Sequence, residues 1–360
     1  MSEQKLSPII RPKLVPAKIL IVRLGAVGDV IQALPALYAL RNEYPRSHIA
    51  WVVEEQAAEI VKAQPEVDEV FVFERRKLRN LFKLGTAAWA FQLFKSFIRL
   101  LRGRKFSLAI DLHNIFRSGL ISKLSRAPAR LVARPSREGN WFFNNWRFRL
   151  PKSLVHTTDR HVGLLRKLGV KREPEVPRVP IDPADREFVQ TFFERKKLDP
   201  ERVVVIHPGA NWSSKRWPEE RYGELAERLN SELDYIPVIT WGPGEEHLAK
   251  RVVKLSHEKA VMAYPTTLKQ LASLCKSSRL FVGPDTGPLH LASAVGTPSV
   301  ALYGPTSPAR FSPRGGKVKI VARDIKCSGC MRRKCRKLDC MKRITVHEVF
   351  MVAREMVGSA

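Results

Sequence analysis

The residues best placed to do chemistry stand where apolar segments break into glycine turns. Asp29 closes the run Leu24-Gly25-Ala26-Val27-Gly28-Asp29, which follows the buried-strand segment KILIVR at 18–23. A carboxylate at the carboxyl end of a strand faces the crevice where open α/β sheets hold ligands, and there it can take a proton from a hydroxyl as a general base. The alternative is structural, because an Asp opening a helix caps it and suits its dipole. The turn is not a dinucleotide fingerprint, since Gly-x-Gly-x-x-Gly would need glycine at 23, 25 and 28 and position 23 is Arg.

Three more strand ends carry polar groups. His207-Pro208-Gly209-Ala210-Asn211 leads into Trp212-Ser213-Ser214 and then Lys215-Arg216. Small residues with free N–H groups at Asn211, Ser213 and Ser214, followed by two cations, suit a phosphate; a solvated surface loop is the competing reading. Trp241-Gly242-Pro243-Gly244-Glu245 follows another apolar segment, and Glu245 either binds ribose hydroxyls or only starts a helix. Phe281 to His290 reads FVGPDTGPLH. Pro288 suits a first helical turn, which puts Thr286 and Gly287 at a helix N-terminus able to bind diphosphate. Asp285 then either meets sugar hydroxyls or caps, and His290 either joins the site or simply packs. Convergence of several strand ends on one rim outweighs any single motif.

Strand-like segments at 18–23, 48–53, 70–73 and 108–112 alternate with helical patterns, the first of them a single helix over 30–42. After four prolines at 174, 177, 180 and 183 the alternation restarts, with strands at 203–207, 236–241, 280–282 and 299–302. Such alternation predicts α/β architecture with parallel, doubly wound sheets in two Rossmann-like domains and a ligand cleft between them. The expected boundaries are a Pro-broken leader, a first domain over 17–172, an extended linker over 173–188, a second domain over 189–345 and a C-terminal helix over 346–360.

The 360 residues carry a formal net charge of +28. Two stretches hold nearly all of it: Arg75 to Arg149 has 18 Lys and Arg against 2 acidic residues, and Arg314 to Arg343 has 12 against 2. Patches of this kind imply an anionic partner. Around Ala88–Arg102, Gln92, Lys95, Arg99 and Arg102 share a helical face with apolar residues elsewhere, so the segment either lies in a membrane interface or packs as an ordinary core helix. The stretch RPSREGNWFFNNWRFR from Arg134 adds aromatics and cations suited to lipid or a phosphorylated sugar. Nucleic acid ranks below lipid because no nucleic-acid-binding motif accompanies the charge. No segment reads as a transmembrane span, and the start MSEQKLSPII lacks the form of a secretory signal, which together predict a cytoplasmic protein. Cys327, Cys330, Cys335 and Cys340 fall close enough to wrap one structural zinc or iron–sulfur centre; Cys275 reads as core.

RLGAVGDVIQALPAL, HPGANWSSKRWPEERY and GPDTGPLHLASAVGTPSVALYGPT together resemble the heptosyltransferases of glycosyltransferase family 9, in order and spacing from about Lys18 to Met341. The resemblance implies a GT-B fold with an acceptor-binding first domain and a donor-binding second domain. It implies an ADP-heptose donor, inversion at the anomeric carbon, no metal needed for catalysis, and work peripheral to the cytoplasmic face of the inner membrane. The acceptor would be an anionic lipopolysaccharide precursor, Kdo-lipid A or a heptosylated core. Asp29 is then similar to the family's base and Lys215 to its phosphate-neutralising lysine. Asn211, Ser213, Ser214, Trp241, Gly242, Glu245, Asp285, Thr286, Gly287 and His290 would hold the donor, and Gly28, Lys95, Arg99 and Arg117 the acceptor. A family-9 transferase with another donor or acceptor, and a non-catalytic basic protein that tethers lipid or nucleic acid, are the alternatives.

Overall fold

The computed structural model describes residues 16–83 and 85–358; most of the Pro-broken leader lies outside them. The first half holds β1 (Lys18–Val22), α1 (Val27–Ile31), α2 (Leu34–Glu43), β2 (His48–Glu54), α3 (Ala58–Lys62), β3 (Glu69–Phe73), α4 (Arg75–Lys83), α5 (Ala87–Gly103), β4 (Leu108–Asp111), α6 (Phe116–Leu124), β5 (Ala129–Arg134), β6 (Trp146–Arg149) and α7 (Thr157–Leu165). The second holds α8 (Pro183–Lys196), β7 (Val203–Ile206), α9 (Glu219–Leu233), β8 (Ile236–Ile239), α10 (Glu246–Leu255), β9 (Val261–Met262), α11 (Leu268–Lys276), β10 (Leu280–Pro284), α12 (Gly287–Ala294), β11 (Ser299–Tyr303), α13 (Pro308–Phe311), β12 (Val318–Ala322), α14 (Asp339–Lys342) and α15 (Val346–Gly358).

The strands form two parallel six-stranded sheets, in the orders β3-β2-β1-β4-β5-β6 and β12-β11-β10-β7-β8-β9. These are the same topology twice. In each, the order reverses beside the first strand of the half, so the crevices open between β1 and β4 and between β7 and β10. Both faces of each sheet are covered, which explains the unbroken apolar runs. Along β1, Ile19 and Ile21 point into a core shared by the two halves, while Leu20 and Val22 point to a second core under α5 and α6. Along β7, Val203 and Val205 join the shared core, and Val204 and Ile206 join a third beneath α9 and α15.

Three local readings change. The helix expected over 30–42 is two helices, interrupted at Gln32–Ala33. Pro35 has no N–H to give the Ile31 carbonyl, and its ring would strike that carbonyl. The linker is extended only to Asp182; Pro183 takes the first helical position of α8 behind Asp182, which sits at the N-cap. In the sequence RPSREGNWFFNNWRFR, Asn140 and Asn144 are buried and Trp146–Arg149 is an edge strand, so half of the segment is structural.

The halves are tied together by more than the linker. Glu59 of α3 accepts from the Leu268 N–H (3.0 Å) and the Lys269 N–H (3.4 Å), meeting the open first turn of α11. The linker is itself pinned to the first half, where Arg178 lies 4.4 Å over the Tyr38 ring and its backbone N–H donates to the Tyr38 hydroxyl. At the crossing of α1 and α12, a Cβ on Gly28 would lie 2.6 Å from the His290 ring, and one on Gly287 would lie 2.9 Å from the Val27 Cβ. Among the described residues, no helix is long and apolar enough to cross a membrane.

Candidate active site

Asp29 stands on α1, just past the carboxyl end of β1. Arg23, at the end of that strand, is buried and aims its guanidinium back along the turn: Nη2 is 2.9 Å from Asp29 Oδ1, Nε donates to the Asp29 carbonyl, and Nη1 donates to the Leu112 carbonyl. The Ala26 N–H donates to Asp29 Oδ2 at 3.2 Å. The carboxylate is therefore fixed at both oxygens, yet its side chain keeps 37% of its accessibility. Held and open, it can meet a hydroxyl. The capping role proves compatible with the chemical one.

Neutral imidazoles surround this pair. The His113 Nδ1 accepts from the Leu24 N–H, so it carries no proton there, and burial together with the Arg23 and Arg117 charges pushes its pKa well down. Burial, aided by Arg23, lowers that of His161 to about 3. Arg117, an expected acceptor contact, pairs with the buried Glu54 at 3.2 Å, and Arg75 pairs with the other oxygen at 3.4 Å.

Across the α1–α12 crossing lies the second set. Lys215 reaches Asp285, donating to Oδ2 (2.7 Å) and to the backbone carbonyl (2.6 Å). Burial alone would raise the Asp285 carboxyl; hydrogen bonding from His290 and the charge of Lys215 outweigh it and hold it far below the carboxylate range. His290 and the Tyr303 hydroxyl both approach Oδ1 at 3.4 Å. Asp285 is thus buried and aims Lys215, whose ammonium keeps a third N–H for a ligand. His290 belongs to this network rather than merely packing. Thr286 is the N-cap of α12 and Gly287 its first residue, so the open first turn faces the same cleft.

Glu245 folds over Gly209, where a Cβ would lie 2.1 Å from its Oε2, and it accepts from the Gly242 N–H at 3.3 Å. Arg216 lies 3.7 Å from it. The Trp241 indole donates to the Ala263 carbonyl, which fixes the wall beside it. Asn211 and Ser213 are exposed on the loop, as a ligand contact requires. Ser214 is not: it is buried, and its hydroxyl donates to the Arg332 carbonyl at 2.6 Å. Its work is to seat the second basic stretch, whose Arg333 lies 5.4 Å over the Trp212 ring.

Lys95 and Arg99 lie on the open face of α5, and no hydrogen bond or ion pair ties them to α1 or α12. The cysteines do not form a ligand shell. Cys340 is buried against Gly304, Cys327, Cys330 and Cys335 are exposed, and among the described residues no three His, Cys, Asp or Glu side chains converge to hold a metal ion. The sequence assigns no role to Arg23, although it is the residue that breaks the dinucleotide fingerprint, and that departure is the available signal.

Residues 94–341 match the sequence family described as glycosyltransferase family 9 (heptosyltransferase). The chain belongs to glycosyltransferase family 9. It is 26% identical to the lipopolysaccharide core heptosyltransferase OpsX of Haemophilus influenzae, over 85% of this chain and 84% of that one. It is 28% identical to lipopolysaccharide heptosyltransferase 1 of Pseudomonas aeruginosa, over 88% and 87%. In fold it is similar to Escherichia coli ADP-heptose lipopolysaccharide heptosyltransferase II, with a TM-score of 0.74 at 22% identity, covering 95% of this chain and 99% of that one. The E. coli heptosyltransferase WaaC with ADP gives 0.73 at 23%, covering 94% and 99%. The two sheets are therefore those of a GT-B glycosyltransferase, as the motifs implied.

The buried histidines of this family-9 enzyme set a pH response. Burial holds His207 at about 4 and His161 at about 3, against about 6.5 unfolded. Above that value neither state is protonated. Below it the unfolded chain binds protons that the folded chain refuses, so stability falls as pH drops from 6.5 towards 4, by about 1.4 kcal/mol per pH unit for each histidine. In urea titrations, His207→Gln should lose stability less steeply over that window than the unaltered protein. Parallel slopes would contradict the assignment.

Proposed function

We propose that the protein transfers heptose from ADP-heptose to the inner core of lipopolysaccharide, with inversion and without a catalytic metal. The observation that carries this is the pairing of an open, fixed carboxylate at the end of β1 with Lys215 and the α12 N-terminus at the end of β10, across a glycine-tight crossing. The relatives' names supply the sugar and the acceptor.

Asp29 takes the proton of the acceptor hydroxyl, and Arg23 keeps the carboxylate turned towards it. The oxygen so freed bonds to the anomeric carbon from the face opposite the diphosphate, while the bond from that carbon to the diphosphate oxygen breaks. ADP leaves with the electron pair. The third N–H of Lys215 and the first-turn N–H groups near Thr286 and Gly287 stabilise its growing charge. Glu245, beside Gly209 and Gly242, is the candidate for the ribose hydroxyls. General-base help is worth about 10²- to 10⁴-fold. ADP release from ADP-heptose with a heptose-deficient lipopolysaccharide acceptor should fall at least about 100-fold in Asp29→Ala. Lys215→Ala should lose activity to a similar order. Release that Asp29→Ala leaves intact would remove the base; no release with any core acceptor would remove heptose.

We also assign the protein to the cytoplasmic surface of the inner membrane, docked through α4 and α5. On α5, Ala90, Ile98 and Leu101 are buried, whereas Trp89 (71% exposed) and Phe91 (63% exposed) stand out beside Lys95, Arg99 and Arg102. Neither helix contains an acidic residue. Aromatic side chains between cations suit an anionic bilayer surface. Vesicles containing anionic lipid should retain the protein at low salt and lose it on Trp89→Ser with Lys95→Glu. Equal retention of both proteins would refute the surface.

A further inference from the structure

We infer that Arg310, carried by the second half of the chain, reads an anionic group of the acceptor beside Asp29. The inference rests on the transferase reading above and adds a residue from the donor half to the acceptor site.

α13 is stapled to the first half by its backbone. The Gln32 amide donates to the Phe311 carbonyl at 3.0 Å, and the Thr157 hydroxyl donates to the Arg310 carbonyl at 3.1 Å. His156 Nδ1 accepts from the Thr158 N–H, which leaves the proton on Nε2 to donate to the Ser312 carbonyl at 2.8 Å. From behind, the Tyr303 hydroxyl donates to the Phe311 carbonyl at 3.0 Å. Two of the anchors lie beside charged residues. Gln32 follows Asp29 by three residues, about one helical turn, and Arg160 donates its N–H to the His156 carbonyl.

Arg310 is held half-buried at this junction, 4.9 Å over the Phe311 ring. Burial disfavours its charge most, the repulsion of Arg137 and Arg160 adds to that, and the attraction of Asp29 opposes it. Yet Asp29 is already paired with Arg23. Among the described residues, no carboxylate lies within ion-pairing distance of Arg310, Arg137 or Arg160, and Arg160 spends one N–H on the Leu154 carbonyl. Arg310 therefore brings a guanidinium without a carboxylate partner towards the Arg23–Asp29 pair, with Arg137 and Arg160 near enough to repel it. Like charges gathered at a partly buried place destabilise it unless an anion completes it, and the fork of a guanidinium matches a carboxylate or phosphate. The donor diphosphate already has Lys215 and the α12 N-terminus. The unmatched charge lies on the Asp29 side, where the acceptor hydroxyl must sit, so the ligand is an acidic group near that hydroxyl.

The test uses a heptose-deficient core oligosaccharide with its sugar carboxylates free, and the same oligosaccharide with those carboxylates methyl-esterified. With the free acid, Arg310→Gln should raise the acceptor KM about 10- to 100-fold, as loss of a charge-assisted hydrogen bond does. The donor KM should stay unchanged, and Arg310→Lys should restore part of the loss. With the ester, Arg310→Gln and the unaltered protein should behave alike. Calorimetric binding of each oligosaccharide to the unaltered protein and to Arg310→Gln gives the same comparison without turnover, so it stands even if heptose is the wrong sugar. A raised donor KM, or an equal loss with acid and ester, would overturn the inference. A thermal unfolding midpoint matching that of the unaltered protein confirms that Arg310→Gln is folded.

Discussion

Two glycines decide where the chemistry can happen. At Gly28 and Gly287 the helices that follow β1 and β10 approach so closely that a single added carbon would meet His290 or Val27. Each helix starts at the crevice of its own sheet, so their contact brings the two crevices face to face. Without it, Asp29 and Lys215 would belong to separate binding sites. Glu59 meets the first turn of α11 and Arg178 packs on Tyr38, adding contacts beyond the crossing. One apolar core runs through both halves.

The electrostatics follow a common rule on both sides of the crossing. A charge at the cleft is held by a buried partner of opposite sign. Arg23 holds Asp29, and Asp285 holds Lys215. The positioned group keeps an unused oxygen lone pair or N–H for the ligand, while its orientation is settled beforehand, which is where positioning contributes to rate. Burial disfavours the charged forms of His113, His161 and His207, so these three shape the site without adding to its field. Surplus positive charge is placed on α4 and α5, which contain no acidic residue.

The sequence was most informative where both faces of a strand are buried. KILIVR and the FVG segment at 281–283 are continuous apolar runs, and the motifs after them have their place in the fold as soon as the strands do. It was least informative at sheet edges. Trp146–Arg149 alternates cations with aromatic residues and so reads as part of a ligand-binding stretch, and Val318–Ala322 lies within the second basic stretch, although both close the two sheets. Asp285 and Ser214 show a second limit. Their types and positions suit ligand contact, and only the packing reveals that neighbours already use them. Arg310 shows the converse: nothing in its local sequence separates it from the other basic residues, and its meaning comes from the first half of the chain packed against it.

The division of labour across the crossing is the central claim, and the ADP affinity of Asp29→Ala, measured by titration calorimetry, tests it most directly. If Asp29 acts on the acceptor alone, ADP should bind this variant within about twofold of the unaltered protein, since a group used only in the transition state leaves ground-state binding in place. If ADP binding collapses together with turnover, Asp29 belongs to the donor site and the account is wrong.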